Sequence, residues 1–381
     1  MLSPDVTGLA AGDMSTKAAP VGASRLILVT DDGYGKARGA LAAVRALALG
    51  GYRPVVALSA PFSLAGSSRY VAGVVRIPAS SSDRYDEALR RESSRGEFAT
   101  VLSTSDRALE ALRAPGREFI DKRRLAKAAL KAGIGSPPSS VFDDGRALLR
   151  DAQLLDYPLV VKPVAGHPTR RAEGPRDVQK WADRDGPLLV QPWLQDEQRG
   201  IAGVIWNGQL IASVHQRHLR LWPPDCGMTC AAETIARDFE MEKHLVRLLG
   251  SYNGIFQADF AGPYLLDLNA RVYASLSLAV AAGVNLAALH CDLVTERDVE
   301  PQEARRGVRF RWLDADLRRL VVAWRRKEMT APRALWEMLP RPGTVFATES
   351  LRDPGPSFAR ARHVFSDGRW RRSSGRARGA I

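Results

Sequence analysis

The stretch Gly254–Arg271, GIFQADFAGPYLLDLNAR, holds the densest set of chemically useful residues in the sequence. If Gly262-Pro263 makes the turn of a hairpin, Asp259 and Asp267 face each other across it. Carboxylates placed this way, with Cβ atoms about 5 Å apart, repel and weaken a bare sheet. A hard cation between them removes the repulsion. Asn269 lies two residues past Asp267, and therefore on the same face of the strand. Two carboxylates and one amide oxygen on a rigid sheet suit Mg²⁺ beside phosphates, with Mn²⁺ as the alternative ion. Arg271, two residues further, can reach a phosphate oxygen or an acyl phosphate. The apolar neighbours Ile255, Phe256, Leu265, Leu266 and Leu268 argue against an ordinary acidic surface hairpin.

Several elements must hold that hairpin. The runs Arg25–Thr30, Pro54–Leu58 and Thr100–Ser103 read as strands, and Gly39–Leu49 and Asp83–Arg95 as helices. Their alternation predicts an open parallel α/β unit over residues 24–118. Asp121–Ala132 is a basic amphipathic helix stopped by Gly133, and Pro137-Pro138 enforces extended backbone after it. Short strands then dominate, at 159–164, 187–193, 203–206 and 209–216. Asn207-Gly208 gives a strong hairpin signal between the last two. A helix follows at about 240–249, then the strands of the acidic hairpin. The region 119–295 thus reads as α+β, and residues 296–381 as a basic C-terminal region. Residues 1–23 lack a basic start and a sustained apolar core, and read as a flexible tail.

The spacing of these motifs resembles the ATP-grasp superfamily, in its carbamoyl-phosphate-synthase-like, carboxylate–amine ligase branch. An aspartate followed by D-L-N-A-R on the next strand is similar to that family's metal-binding end. Phe119-Ile120-Asp121-Lys122 with Gly133-Ile134 and Pro137-Pro138 resembles its lysine helix and entry turn. Tyr157–Pro163 resembles its second lysine strand, and Leu189–Leu194 its adenine hinge, placed near 189–195. Arg217–Pro224 resembles the basic loop of that branch. The resemblance spans about residues 25–315. It implies an ATP-grasp fold with an N-terminal parallel α/β pre-grasp domain and two grasp subdomains. It implies ATP and Mg²⁺ as cofactors, with Lys122 and Lys162 on the triphosphate. Val190, Gln191, Pro192, Trp193 and Leu194 would line adenine, and Asp196 or Glu197 would hold the ribose, Glu197 being the one adopted here. Asp259, Asp267 and Asn269 would bind the metal, and Arg271 and Arg217 would steady the transferred phosphoryl group. The implied activity joins a small-molecule carboxylate to an amine through an acyl phosphate. The loop Val164–Gly174 departs from the family's glycine-rich pattern, because Pro168 removes an N–H donor, though Arg170 and Arg171 can compensate. Asp267 also stands where glutamate is commoner.

The bulk properties frame these readings. The chain has 381 residues, 45% hydrophobic and 25% charged, which is globular composition. No apolar run is long enough to span a bilayer, and three cysteines form no disulfide framework. Both fit a soluble cytoplasmic protein with no membrane partner. The net charge of +13 suggests anionic partners, but a nucleotide satisfies it as well as nucleic acid does. No RNA-binding or zinc-finger signature accompanies it, so nucleic acid is the weaker expectation. The second reading, after the ligase, is a non-catalytic nucleotide-binding or regulatory protein of the same fold, and the third is a basic nucleic-acid binder. A homodimer is compatible with the sequence, which fixes no oligomeric state. Gly33–Gly39 resembles a dinucleotide fingerprint, but its last spacing is one residue too long and no acid ends the second strand. His215, His218, Cys226 and Cys230 have no standard zinc spacing. The tryptophans at 206, 222, 312, 324, 336 and 370 read as core or cleft wall.

Overall fold

The computed structural model describes residues 25–32, 38–339 and 341–366. The expected N-terminal tail, most of the glycine pattern at 33–39 and the far end of the Arg-rich tail lie outside the described residues. The chain opens with β1 (Leu26–Asp31), α1 (Arg38–Leu49), β2 (Arg53–Leu58), β3 (Gly73–Arg76), α2 (Tyr85–Ser93), β4 (Thr100–Leu102) and α3 (Asp106–Leu112). Its strands form a parallel sheet in the order β3-β2-β1-β4. The strand β3 escapes the sequence pattern because it is a four-residue edge with no fully buried side chain.

The helix α4 (Lys122–Lys131) begins where the Asp121 carboxylate accepts the N–H groups of Arg123 and Arg124. Then come β5 (Ser140–Phe142), α5 (Gly145–Arg150), β6 (Leu159–Pro163), β7 (Arg170–Ala172), α6 (Pro175–Val178) and β8 (Leu188–Pro192). These strands make an antiparallel sheet in the order β5-β8-β6-β7. Leu148, Val161, Trp181 and Leu188 form its small core.

The largest sheet starts with β9 (Gln198–Trp206) and β10 (Gln209–Trp222), joined through Asn207-Gly208. Both turn residues have positive φ, as a tight two-residue hairpin turn requires. β11 (Met228–Thr234), α7 (Phe239–Leu249), β12 (Gly254–Ala261), β13 (Tyr264–Asn269), α8 (Leu276–Ala281) and α9 (Leu286–Val294) follow. The basic C-terminal stretch adds β14 (Arg309–Arg311), α10 (Leu313–Arg325), α11 (Ala331–Met338), β15 (Thr344–Phe346) and α12 (Gly355–Ser366). The sheet order is β13-β12-β9-β10-β11-β14-β15, so this sheet continues past residue 295. One face of it packs with α1, α8 and α9 in a core shared with β1 and β2. The other face packs on α4 and α7.

Two expectations need correction here. Arg217–Trp222 belong to β10, not to a loop, because β10 pairs with β9 and β11 along nearly its whole length. Trp324 and Trp336 are mostly exposed rather than core, although Trp312 is buried. Trp370 lies outside the described residues.

Much of the C-terminal basic charge is already matched. Arg309 faces Glu233, Arg319 faces Glu328 and Arg360 faces Asp314. Asp316 is fully buried between Arg220 of β10 and Arg311 of β14, and so ties α10 to the sheet. Asp316→Asn leaves two guanidinium groups short of a counter-charge. It is expected to destabilise the fold by about 3 kcal/mol, measured as a lowered denaturation midpoint. A midpoint unchanged from wild type would show that this cluster does not tie the C-terminal helices down.

Candidate functional site

The hairpin β12–β13 pairs Asp259 directly with Asp267, and Gln257 with Asn269. Gly262 turns the chain at φ +53°. The register slips between Asp259 and Phe260, so Leu266 is an extra residue on β13. This bulge sends Leu265 and Leu268 into the core with Phe256 and leaves Asp267 and Asn269 on the opposite face. It also presents the Leu266 carbonyl oxygen to the small sheet. There Lys162 Nζ of β6 donates to it at 3.0 Å.

Two lysines converge on Asp267. Lys122, the first residue of α4, brings Nζ within 4.0 Å of its carboxylate. Both lysine residues are buried, at 7% and 5% exposure, so neither is a solvated surface cation. Burial lowers the Lys162 ammonium to about 8, opposed by the Asp267 charge. Burial would also raise the Asp267 carboxyl, but Lys122, Lys162, His167 and Arg271 outweigh it and hold the group below the usual carboxylate range. Asp259 behaves in the opposite way. Burial, and then the Asp267 charge, push it up to about 7. Each of two facing carboxylates disfavours the other's charge, and Asp259 is the one raised here.

Asp259 has its own polar surroundings. Gln257 Nε2 donates to its Oδ1 at 2.8 Å, and His218 Nε2 lies 3.6 Å away. Burial lowers His218 to about 4. Gly200 of β9 makes room for this group, since a Cβ there would lie 2.9 Å from Gln216 Nε2 and 3.0 Å from His218 Nε2. Arg271 is anchored by Asp106 at the start of α3, at 2.7 Å, so the first domain's α/β unit reaches the site. The nearby backbone joins too, with Val272 N–H donating to the Ser103 carbonyl oxygen at 3.0 Å.

Of the residues singled out in sequence, Lys122, Lys162, Asp259, Asp267, Asn269 and Arg271 come together. Val190, Gln191 and Pro192 end β8, and Trp193 and Leu194 begin the connection to β9. That connection joins the small sheet to the large one. Gln191 Nε2 donates to Ser139 at 2.8 Å, Trp193 N–H to the Pro158 carbonyl oxygen at 3.0 Å, and the Arg171 guanidinium lies over the Trp193 ring. Glu197 is exposed at the end of the connection.

Arg217 is not brought to the acidic pair. Alternation along β10 puts it on the face of Ser213 and His215, which point to Glu242 of α7. Its partners are Glu197 and Glu233, each at 3.5 Å. Gln216 and His218 take the place on Asp259's side instead. Sequence reading weighed His218 only as a zinc ligand and left Gln257, His167 and Asp106 without roles. The four zinc candidates stay apart in their contacts: His215 faces Glu242, while Cys230 lies beside Asp316. Among the described residues no group of three His, Cys, Asp or Glu is placed to hold a metal. Asp259, Asp267 and the Asn269 amide are a different kind of set.

Residues 184–315 match the family described as ATP-grasp in the biosynthetic pathway with Ter operon. No curated protein matches the chain in sequence. Solved structures resemble it in fold. L-amino acid ligase from Bacillus licheniformis matches at 16% identity, over 71% of this chain and 74% of that one, with a TM-score of 0.54. Biotin carboxylase from Campylobacter jejuni, a complex with a β,γ-ATP compound, matches at 17% identity over 75% and 74%, with a TM-score of 0.55. Carboxyaminoimidazole ribonucleotide synthase from Aspergillus clavatus, complexed with ATP, matches at 16% identity over 75% and 80%, with a TM-score of 0.57. The family match covers residues 184–315, and the likeness to these solved ATP-dependent enzymes over some three quarters of the chain is one of fold.

Proposed function

We propose that this chain is a Mg²⁺- and ATP-dependent ligase that activates a small carboxylate as an acyl phosphate and joins it to an amine. The observation that carries this is the facing pair Asp259 and Asp267, with Lys122 and Lys162 aimed at the same point from two other elements. The donor set fits a hard divalent ion: burial and the facing Asp267 charge raise Asp259, a cost that a cation would remove, and Asn269 adds a neutral oxygen on the same face. Asp259, Asp267 and Asn269 would hold Mg²⁺. When bound, the ion neutralises phosphate charge.

The chain's own residues supply position and charge. Lys122 and Lys162 hold the triphosphate, and the Leu266 carbonyl fixes the Lys162 ammonium where it is needed. Val190–Leu194 line the base, with Glu197 beside the ribose. Arg271, fixed by Asp106, offers its remaining donors to the transferred phosphoryl group. Arg217 is left out of this assignment. The α/β unit over 24–118 carries part of the substrate pocket, and 119–295 carries the nucleotide site. No helix among the described residues is long and apolar enough to cross a membrane, and we place the reaction in the cytoplasm.

The test is ADP release on arrays of carboxylates and amines, followed by ¹⁸O tracing for any active pair. One labelled carboxylate oxygen is expected in the released phosphate, because amine attack on the acyl phosphate expels it there. Release of AMP and pyrophosphate would refute the acyl phosphate route. ATP binding with no turnover on any pair would favour the non-catalytic reading, for which Pro168 in the loop after β6 is the supporting feature.

A further inference from the structure

Arg38 begins α1, at the carboxyl end of the first sheet. It is 1% exposed, the largest of the fully buried side chains. Its guanidinium lies 3.4 Å above the Trp312 ring. The acceptor for its Nη2 is the Met228 thioether sulfur at 3.7 Å, a weak one. Among the described residues its Nε and Nη1 have no hydrogen-bond partner. Asp314 acts on it electrostatically but is not a contact partner, being paired with Arg360. Burial lowers the Arg38 guanidinium to about 9.

A buried guanidinium without an anion is an expensive arrangement, since native interiors almost always pair such groups. Arg220 and Arg311 show the ordinary solution in this same chain, where both are matched by Asp316. The backbone next to Arg38 also touches the segment that follows the acidic hairpin. Gly39, next in the chain, packs against the Tyr273 carbonyl oxygen, and Tyr273 feels the charge of Asp259. Trp312 and Met228 give the cation an apolar cradle. Such a cradle strengthens a charged hydrogen bond to anything that enters it.

We infer that Arg38 is an oxyanion-recognition residue: it binds a carboxylate or phosphate group that the substrate carries in addition to the carboxylate being activated. The inference rests on the ligase reading for the word substrate, but the anion site itself does not depend on it. The bound oxyanion accepts from Nε and Nη1, the donors the protein leaves free, while Trp312 covers one face of the guanidinium. A substrate with a single charged end fails to use this group, so the ligase selects molecules bearing two anionic ends.

The anion site is tested without nucleotide, by thermal denaturation in acetate or inorganic phosphate at fixed ionic strength. Wild type is expected to gain midpoint temperature saturably. Arg38→Met is expected to show no saturable gain, and a midpoint in plain buffer no lower than wild type, because it removes an unpaired buried charge. Arg38→Lys keeps the charge and should retain a weakened response, guarding against a folding defect in the methionine variant. Equal anion responses in wild type and Arg38→Met would overturn the inference. A low plain-buffer midpoint in both variants would also do so, by showing that Arg38 acts only as packing on Trp312. For any substrate pair found active, Arg38→Met should raise KM for the doubly anionic substrate about 30-fold with KM for ATP unchanged. A wild-type anion response with no ATP turnover would remove the ligase reading and leave the anion site standing.

Discussion

Lys162→Met is expected to lower kcat/KM for ATP about 100-fold while leaving the fold intact. Methionine matches the lysine stem in length and suits the buried position on β6, so the loss isolates the ammonium. The same group sets a pH dependence. In the free protein, burial lowers this lysine to about 8. Below that pH it is charged and ready for the triphosphate. Above it, the ammonium is lost and binding ATP requires taking a proton back. ATP affinity is therefore expected to fall by about tenfold per pH unit above 8, and the Lys162→Met variant to lose that slope. Isothermal titration in two buffers of different ionisation heat measures both affinity and proton uptake. Identical slopes for the two proteins would assign the titration to another group.

Asp267→Asn is expected to have the larger effect, about 1000-fold in kcat/KM, because it removes the charge that both lysines and the ion share. Asp259→Asn is expected to lose less, about 100-fold. The reason is that Asp259 is the member of the pair whose carboxyl burial and the Asp267 charge push up, to about 7. Asp267 keeps its charge because Lys122, Lys162, His167 and Arg271 surround it. The two variants are compared by steady-state kinetics over a Mg²⁺ titration, in which Asp267→Asn should also raise the Mg²⁺ requirement. Equal losses in both would mean that the pair acts as one symmetric ligand. Wild-type kinetics in Asp267→Asn would remove the metal hairpin from the reaction.

The acidic hairpin was legible because strand alternation and one turn dipeptide fix which residues face each other. Asp259 opposite Asp267 needs only the Gly262-Pro263 turn. Its bulge at Leu266 was not legible, yet the bulge is what gives Lys162 its carbonyl partner. The parallel α/β opening was readable from three apolar runs, while β3, short and half-exposed, carried no comparable signal. The error over Arg217 has a simple source. The residue's place came from resemblance to a basic loop of the family, whereas in this chain Arg217 lies within β10. Gln216, Arg217 and His218 in a strand put one residue on α7's side and two on Asp259's. Roles for His218 and Gln257 depend on contacts between strands that are distant in sequence, and Gly200 marks the place only after the register is known. The tie from Arg271 to Asp106 spans 165 positions and has no local trace.

The central claim is that the hairpin and the two lysines form one Mg²⁺–ATP site. Calorimetric titration of ATP into the wild-type protein, with Mg²⁺ and then with chelator, tests it most directly. Binding that needs the ion, with Mn²⁺ able to replace it, is the predicted result. Binding of equal strength with and without the ion, or none at millimolar ATP, would contradict the assignment.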